Sequence, residues 1–489
     1  MSYNHYDRMS ALDAAFLTLE DENAHMHIGS VALFDAEPLT KPGGGIDFDR
    51  ILAYIEAVLP SRERFRQKLA RVPVLQHPVW VDDERFNLRY HVRHVCLPAP
   101  GDERQLKRLA GRIMSEGLDR AKPLWELWIV EGVTRQRFAV VSKIHHSLAD
   151  GISSVGLLAA MLRADARHEP APTEVVTPRP APRGTRLLLD ELSRRATLPV
   201  SLARATLHAL TNLRETAEAA RDIATGLVEV LRVGALPASV TPFNQPLGPH
   251  RRFDWTRFDL EAVEAIRRRF GGTLNDVVLC VVAGAIDRFF TTRGWRAGGL
   301  DFRVLVPVAI RSEAERRSLG NRVSMLLMPL PLEERDPRRR LKRVSETTRE
   351  LKESKRSEGV EAVATLADWT LNGLLSQLAR FALKLRIANM VVTNVPGPRD
   401  PVHLLGARML AAYPVVPLGA NQSLGVAVLS YAGGLYWGFN ADWDAMPYLH
   451  EVVRAVEAEF EALSLMVPAA AAKSARKRTS RPAIAGAES

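Results

Sequence analysis

The stretch Lys143-Ile144-His145-His146-Ser147-Leu148-Ala149-Asp150-Gly151 carries most of the chemical information in this chain, and it lies where a predicted strand turns into a predicted helix. The apolar residues 137–146 predict the strand, and residues 151–162 predict the helix, with Asp150 placed to cap it. Side chains on a strand alternate between two faces. If the strand runs through both histidines, one of them can meet a substrate while the other is tied into the framework.

Three interpretations of the histidine pair stay open at the level of the residues. The two side chains can be hydrogen-bonded framework residues, they can be metal ligands, or one of them can be a general base that acts on a hydroxyl or an amine. Adjacent histidines on a strand point apart and no His-x-x-x-His or Cys-x-x-Cys lies nearby, so we expect no metal site. The general base is favoured because the chain has no Gly-x-Ser-x-Gly motif, which would supply a nucleophile for a covalent intermediate.

Composition indicates a globular protein of two or three domains. The chain has 489 residues, of which 46% are hydrophobic, and its 66 basic and 56 acidic residues give a net charge of +10, which suits polyanionic ligands or an anionic membrane surface. Cys96 and Cys280 are its only cysteines, so we expect a reducing compartment and no disulfide. With no secretory signal and no run of 18 apolar residues, a cytoplasmic protein with at most peripheral membrane attachment is predicted.

A Pro-rich polar stretch at 166–184 predicts a domain boundary. We expect an N-terminal lobe over 1–164, a Pro-rich linker and helical connection over 165–250, a C-terminal lobe over 251–467 and a disordered basic tail over 468–489. No nucleic-acid recognition signature accompanies the tail, so no nucleic-acid partner is expected.

Local patterns predict several elements that bear on the site. Thr273 is placed to cap a long helix that runs to Phe290, and Asp276 suits the positive end of its dipole. Residues 62–70 predict an amphipathic helix, 88–95 a strand, and 335–355 a charged helix with a solvated face.

Further short motifs lie along both halves of the chain. They are Met9-Ser10-Ala11-Leu12-Asp13, Met26-His27-Ile28-Gly29, Tyr90-His91-Val92-Arg93, Pro123-Leu124-Trp125-Glu126, Leu274-Asn275-Asp276-Val277-Val278-Leu279, Val306-Pro307-Val308-Ala309-Ile310-Arg311, Gly320-Asn321-Arg322-Val323-Ser324, Asn394-Val395-Pro396-Gly397-Pro398 and Tyr413-Pro414-Val415. With the His-His-x-x-x-Asp-Gly motif at 145–151, the chain resembles the bacterial wax ester synthase/diacylglycerol acyltransferase family. That family is part of a larger group of CoA-dependent acyltransferases. Thr393 stands where the family often has Ser.

The resemblance implies an α/β fold of two chloramphenicol-acetyltransferase-like lobes with the active-site tunnel between them. It makes His146 the general base, with His145 and Asp150 in supporting roles, and Asn275 the best candidate for an oxyanion donor. Arg311 is a candidate partner for Asp150. The predicted substrate-binding residues are Gly151, Pro123, Leu124, Trp125 and Asp276. For residues 123–125, ordinary core packing before a strand is an equally good interpretation.

The implied reaction is transfer of a long-chain acyl group from acyl-CoA to diacylglycerol, to a long-chain fatty alcohol, or to both, without an acyl-enzyme. Acyl-CoA is a substrate, and no cofactor or metal is expected. The positive charge and the absence of a spanning segment suit an enzyme at the inner membrane face or a lipid-droplet surface. Two rivals remain: a related acyltransferase with another acceptor or a carrier-protein donor, and a non-catalytic lipid-surface protein.

Overall fold

The computed structural model describes residues 6–148, 156–165, 177–196, 237–309, 323–356 and 386–467, which form two six-stranded sheets, a three-stranded sheet and the helices around them. The strands are β1 (Tyr6–Arg8), β2 (His27–Asp35), β3 (Gln67–Arg71), β4 (Pro78–Asp82), β5 (Val92–Cys96), β6 (Trp125–Val133), β7 (Arg137–His145), β8 (Arg251–Asp259), β9 (Arg303–Ala309), β10 (Val323–Pro329), β11 (Met390–Pro396), β12 (His403–Leu404), β13 (Ala407–Val415), β14 (Leu424–Tyr431) and β15 (Gly434–Asp442). The helices are α1 (Ala11–Leu19), α2 (Phe48–Val58), α3 (Leu88–His91), α4 (Glu103–Ser115), α5 (Gly156–Met161), α6 (Gly184–Ala196), α7 (Leu260–Phe270), α8 (Leu274–Thr292), α9 (Pro337–Arg356) and α10 (Leu449–Leu465).

The first six-stranded sheet has the order β12-β13-β2-β7-β6-β5. Its central strands β2 and β7 run antiparallel, with His27 opposite His145 at one end and Asp35 opposite Arg137 at the other. β6 and β7 form an antiparallel hairpin. Every residue of β7 after Arg137 is buried, which is typical of a strand covered on both faces. The end of β7 that carries His145 therefore lies inside the protein.

The second six-stranded sheet has the order β10-β9-β11-β14-β15-β8. β11 runs parallel to both of its neighbours, β9 and β14, and the other pairs are antiparallel. β10 lies at the edge of this sheet, a position where a proline such as Pro329 is tolerated. α8 and α10 contribute to the core on this sheet, and 13 of the 19 residues of α8 are buried.

A strand from late in the chain joins the two sheets. β13 pairs antiparallel with β2 in the first sheet, where Val415 lies opposite Gly29. It also passes so close to β15 that a Cβ added to Gly438 would lie 1.9 Å from the Pro414 carbonyl oxygen, so only glycine fits there. Residues 403–415, within the predicted C-terminal lobe, thus complete the sheet of the N-terminal lobe.

Two local predictions are corrected, and a third gains a detail. Residues 62–70 do not form one amphipathic helix: a short 3₁₀ turn, Glu63–Arg66, leads into β3, which pairs with β4. Residues 88–95 begin with the one-turn α3 and become β5 only at Val92. Tertiary pairing overrides local propensity in such short segments. The helix predicted over 335–355 is present as α9, but its Arg340 is buried because it pairs with Glu459 of α10.

In the described part of the chain no single helix is both long and apolar enough to cross a membrane. α7 and α8 together meet the length and composition requirement, but they are bent by 95° at the break between them.

Candidate active site

The histidine pair lies on a sharp change of backbone direction. β7 ends at His145, one residue before the predicted end, and His146 opens a 3₁₀ turn, His146–Leu148. The backbone N–H of His145 donates to the Leu124 carbonyl at 3.0 Å, and that of His146 donates to the Met26 carbonyl at 2.8 Å. These bonds fix the turn between two neighbouring segments of the first lobe.

His145 is a framework residue by its surroundings. Its side chain is 1% exposed. Its Nδ1 accepts a hydrogen bond from the backbone N–H of Ser147 at 3.1 Å and lies 2.7 Å from the Ser147 hydroxyl. Accepting that bond leaves the ring proton on Nε2, which lies 3.5 Å from Oε2 of Glu20. Both ring nitrogens of His145 thus face groups of the protein.

Glu20 is the centre of a buried ionic cluster that no local sequence pattern predicts. It caps the C-terminus of α1 and its side chain is 9% exposed. Its carboxylate lies 2.5 Å from the Arg120 guanidinium, 3.5 Å from Nε2 of His27 and 3.7 Å from Nδ1 of His25. Burial by itself would raise the pKa of Glu20, but its contacts with His145, His25 and Arg120 hold the pKa far below the ordinary value. The carboxylate therefore stays ionised.

Lys143, two residues before the histidine pair, anchors β7 to the end of α4. Its ammonium group donates to the carbonyls of Ile113 and Glu116, each at 3.0 Å, and lies 3.4 Å from Oε2 of Glu126. These carbonyls belong to the negative end of the α4 dipole. Burial lowers the pKa of Lys143. The presence of lysine at position 143 has a structural explanation, because its ammonium group makes three polar contacts inside the protein.

His146 has a different environment from its neighbour. It is partly exposed, whereas His145 and Ser147 on either side are buried. Its imidazole stacks on the Phe16 ring of α1, with 3.9 Å between the ring centroids. Of the two histidine side chains, His146 is the more accessible.

Asp150 and Gly151, together with Arg311, lie outside the described residues. Three roles therefore stay predictions: support of the turn by Asp150, contact of Gly151 with substrate, and pairing of Arg311 with Asp150.

Asn275 and Asp276 lie in the first turn of α8, in the second lobe. The predicted cap is confirmed, because Thr273 and Asp276 form a reciprocal capping box. Asp276 is 2% exposed, and its Oδ2 accepts from the Thr273 backbone N–H at 2.7 Å. These are the contacts of a helix cap, and a contact between Asp276 and substrate stays a prediction. Asn275 is partly buried, and its Oδ1 accepts from Nδ2 of Asn394 at 2.6 Å.

Pro123, Leu124 and Trp125 lie in the core of the first lobe. All three are buried, and Trp125 is fully so. The indole N–H of Trp125 donates to the Phe65 carbonyl at 2.7 Å, and its ring stacks on His91 with 4.6 Å between centroids. Their observed contacts are those of core residues that also support the His145 backbone. Whether they shape a substrate channel is a prediction that these contacts leave open.

A basic cavity of about 660 Å³ lies between α4, β8 and the start of α10. Its cationic lining residues are Arg104, Lys107, Arg108, Arg251 and Arg252. The three predicted catalytic residues that the structure describes, His145, His146 and Asn275, do not line it. Within the described residues, no group of three or more His, Cys, Asp or Glu side chains is arranged to hold a metal ion.

Solved structures define the class of the fold. The chain is similar to the wax ester synthase/diacylglycerol acyltransferase from Marinobacter aquaeolei VT8, with a TM-score of 0.67, 24% identity, and coverage of 94% of this chain and 99% of that one. It is also similar to the first condensation domain of the calcium-dependent antibiotic synthetase, with a TM-score of 0.54, 17% identity, and coverage of 95% and 97%. The predicted two-lobed, chloramphenicol-acetyltransferase-like α/β fold is confirmed.

Sequence relatives define the family. The model of the wax ester synthase/diacylglycerol acyltransferase catalytic domain matches residues 9–278, and that of the family's C-terminal domain matches residues 319–464. A probable diacylglycerol O-acyltransferase of Mycobacterium tuberculosis (strain CDC 1551 / Oshkosh) is 33% identical over 460 residues, which cover 92% of this chain and 94% of the relative. A putative diacylglycerol O-acyltransferase of strain ATCC 25618 / H37Rv is 30% identical over 476 residues. The chain belongs to the wax ester synthase/diacylglycerol acyltransferase family, as its motifs predict, and is an acyl-CoA-dependent O-acyltransferase.

Proposed function

We propose that this enzyme transfers a long-chain acyl group from acyl-CoA to the free hydroxyl of diacylglycerol, with His146 as the general base. The observation that carries the proposal is the division between the two histidines: His146 is accessible on a fixed turn, while His145 is enclosed by Ser147 and Glu20. The names of the mycobacterial relatives favour diacylglycerol as acceptor. A fatty alcohol is the second candidate, because the family's description includes wax ester synthesis.

The reaction needs a base but no covalent enzyme intermediate. The imidazole of His146 takes the proton of the acceptor hydroxyl while the hydroxyl oxygen attacks the thioester carbonyl. A carbon–oxygen bond forms, and the tetrahedral intermediate then collapses by breaking the carbon–sulfur bond. The imidazolium returns its proton to the leaving thiolate, so the products are an ester and free CoA. General base catalysis of this kind contributes about 10²- to 10⁴-fold in rate.

Asn275 is the proposed donor to the oxyanion of that intermediate. It occupies the first turn of α8, where the helix dipole is positive and the capping box of Thr273 and Asp276 fixes the backbone. His145 and Asp150 support the turn in this scheme, and Gly151 lets substrate approach it. Pro123, Leu124 and Trp125 support the apolar side, and Asp276 acts through the cap.

The enzyme uses acyl-CoA as a substrate and needs no further cofactor in this proposal. Long-chain acceptors partition into membranes and lipid droplets, so we place the enzyme in the cytoplasm in peripheral contact with the inner membrane face or with a droplet. The net charge of +10 supports contact with an anionic lipid surface.

The test follows the release of free CoA thiol by the purified full-length chain. Palmitoyl-CoA is supplied alone, with dioleoylglycerol in mixed micelles, or with hexadecanol. We expect CoA release only with an acceptor, and a fall in kcat of at least about 10²-fold in His146→Ala. His94→Ala is the matched control, because His94 lies on the surface strand β5, 2.9 Å from Glu131, away from the turn. Thermal melting checks that both variants are folded.

The same assay separates the rivals. Turnover only with an acyl carrier protein, or only with another hydroxyl or amine acceptor, would identify a related acyltransferase. Binding to lipid vesicles without CoA release under any condition would identify a non-catalytic lipid-surface protein. Full turnover by folded His146→Ala would contradict the role assigned to that histidine.

A further inference from the structure

The Asn-Val-Pro-Gly-Pro motif at 394–398 contributes no group to the proposed reaction, yet its first residue, Asn394, contacts Asn275, the proposed oxyanion donor. Asn394 lies on β11, and its Nδ2 donates to Oδ1 of Asn275 at 2.6 Å. The two residues are 119 positions apart in the sequence. The contact joins a strand of the second sheet to the first turn of α8.

The direction of this hydrogen bond matters because a primary amide has two unlike ends. The oxygen only accepts and the NH₂ group only donates. A donor that occupies Oδ1 of Asn275 leaves the NH₂ group of Asn275 directed elsewhere, where it can donate to an oxyanion. If the side chain were turned over, its oxygen would face the developing negative charge and repel it.

We propose that Asn394 is a positioning residue that fixes the amide of Asn275 with its NH₂ group toward the reacting carbonyl. This inference rests on the proposed role of Asn275 as the oxyanion donor. It extends that role by naming the residue that decides which end of the amide the substrate meets.

Both partners are held by structure that is independent of their contact. Asn394 lies opposite Val428 in the parallel pair of β11 and β14, and its neighbour Val392 is buried in the second core. Asn275 is held by the capping box between Thr273 and Asp276. Since neither backbone depends on the amide pair, the hydrogen bond is free to serve orientation rather than folding.

One alternative arrangement has to be separated by experiment. Oδ1 of Asn394 is buried and has no hydrogen-bond partner among the described residues. If both amides were turned over, Asn275 would donate to this atom and would present its own oxygen to the substrate. The two arrangements predict opposite effects of placing a pure acceptor at position 394.

The experiment measures kcat and KM for Asn394→Ala, Asn394→Asp, Asn275→Ala and the double variant Asn275→Ala/Asn394→Ala, with palmitoyl-CoA and dioleoylglycerol. Thr393→Ser is the matched control, because it changes the adjacent residue of the same strand. Removal of one oxyanion donor costs about 10²- to 10³-fold in kcat. We expect that loss in Asn275→Ala and a loss of about 10- to 100-fold in Asn394→Ala, with KM within about threefold. The double variant should be no slower than Asn275→Ala within about twofold, because the two residues act through one group.

The aspartate variant distinguishes a positioning role of Asn394 from a purely structural one, because only a positioning role predicts the pH-dependent change in rate described next. A carboxylate at position 394 accepts from the NH₂ group of Asn275 and draws it away, so Asn394→Asp should be slower than Asn394→Ala at pH 8. Protonation restores a donor, so the ratio of the Asn394→Asp rate to the Asn394→Ala rate should rise as the pH falls from 8 to 5.5. Taking the ratio removes the effect of titrating His146, which both variants share.

The outcomes separate this inference from the proposed function. Full activity of Asn275→Ala would remove Asn275 from the mechanism. Loss of activity in Asn275→Ala with wild-type activity in Asn394→Ala, or multiplicative losses in the double variant, would overturn the positioning role alone. Wild-type activity in Asn394→Asp would show the reversed arrangement. Should Asn394→Ala fail to fold, Asn394→Ser takes its place, because its hydroxyl is too short to reach Asn275.

Discussion

The turn that carries His145 and His146 and the first turn of α8 each present one proposed catalytic group, but they are held by different kinds of contact. The histidine turn rests on the ionised carboxylate of Glu20, which Arg120, His25, His27 and His145 surround. The α8 turn is held by a capping box and by an amide pair of two uncharged side chains. The histidine turn therefore depends on a cluster of several ionisable side chains, whereas the α8 turn depends on one capping carboxylate, that of Asp276, on a neutral amide pair and on a helix terminus.

The difference has a physical consequence for how each region responds to change. A buried charge cluster is costly to desolvate, and removing one member leaves the others uncompensated. Loss of the Thr273 side chain from the α8 cap removes only one hydrogen bond, worth about 0.5–1.5 kcal/mol net. Substitutions and pH should therefore disturb the first lobe more than the second.

The largest effect is expected for Glu20→Ala. The substitution removes the carboxylate that pairs with Arg120 and that Nε2 of His27 and Nε2 of His145 face at 3.5 Å. Breaking a buried ion pair costs about 3–5 kcal/mol, but the Arg120 side chain is 42% exposed, so we expect about 2–3 kcal/mol. Urea unfolding followed by circular dichroism measures the change in the free energy of unfolding. kcat should fall as well, because the neighbour of His146 loses its orienting group.

Glu22→Ala is the control for that measurement. Glu22 lies two residues further along the same loop and is exposed, so its removal should change the free energy of unfolding by less than about 0.5 kcal/mol. Equal stability of the two variants would mean that the Glu20 cluster adds nothing to the fold, and the comparison between the two regions would fail.

The next effect concerns pH and is assigned to His27. Burial, followed by the charge of Lys143, lowers the pKa of His27 well below 6.5, and Glu20, His25 and His145 also face it. The folded protein keeps this ring neutral, while the unfolded chain protonates it below about pH 6.5. Because the unfolded state binds the extra proton, stability is fully present above pH 6.5 and is lost as the pH falls below it.

The measurement compares the free energy of unfolding of wild type and His27→Gln at pH 7, 6 and 5. The share assigned to His27 approaches about 1.4 kcal/mol per pH unit below pH 6.5 and should be absent from the variant. His77, whose pKa burial lowers to about 4, contributes with the same sign in both proteins and so cancels from the difference. Parallel pH profiles for wild type and His27→Gln would refute the assignment.

The sequence predicts the histidine turn well, because its information is local. An apolar strand followed by a histidine pair and a capping residue predicts β7 to within one residue, and Thr273 and Asp276 predict the start of α8 in the same way. Family motifs then supply the two-lobed fold. The two histidines have different surroundings, as expected, but the cause is the turn that begins at His146 rather than alternation along one strand.

The rest could not be predicted because it depends on contacts between distant segments. Glu20 follows an ordinary apolar helix in the sequence. Its role becomes visible only in the folded structure, where the Arg120 guanidinium lies 2.5 Å from its carboxylate. Asn394 and Asn275 meet across 119 residues. No local pattern indicates that β13, which lies in the second half of the chain, completes the first sheet by pairing with β2. Asp150 and Gly151, which follow the histidine pair in the sequence motif at 145–151, lie outside the described residues.

The smallest expected effect concerns the cap at the first turn of α8. Thr273→Ala removes the side-chain oxygen that accepts from the Asp276 backbone N–H at 3.3 Å, while the reciprocal bond from the Thr273 N–H to Asp276 remains. Loss of such a cap costs about 1 kcal/mol. Thr291→Ala, at the exposed far end of the same helix, is the control and should cost less than about 0.5 kcal/mol. Because the first turn also carries Asn275, we expect kcat of Thr273→Ala to fall by a few fold and its pH dependence of stability to match wild type. A change in that pH dependence would mean that the α8 cap is coupled to the Glu20 cluster, and the two regions would then share one electrostatic network.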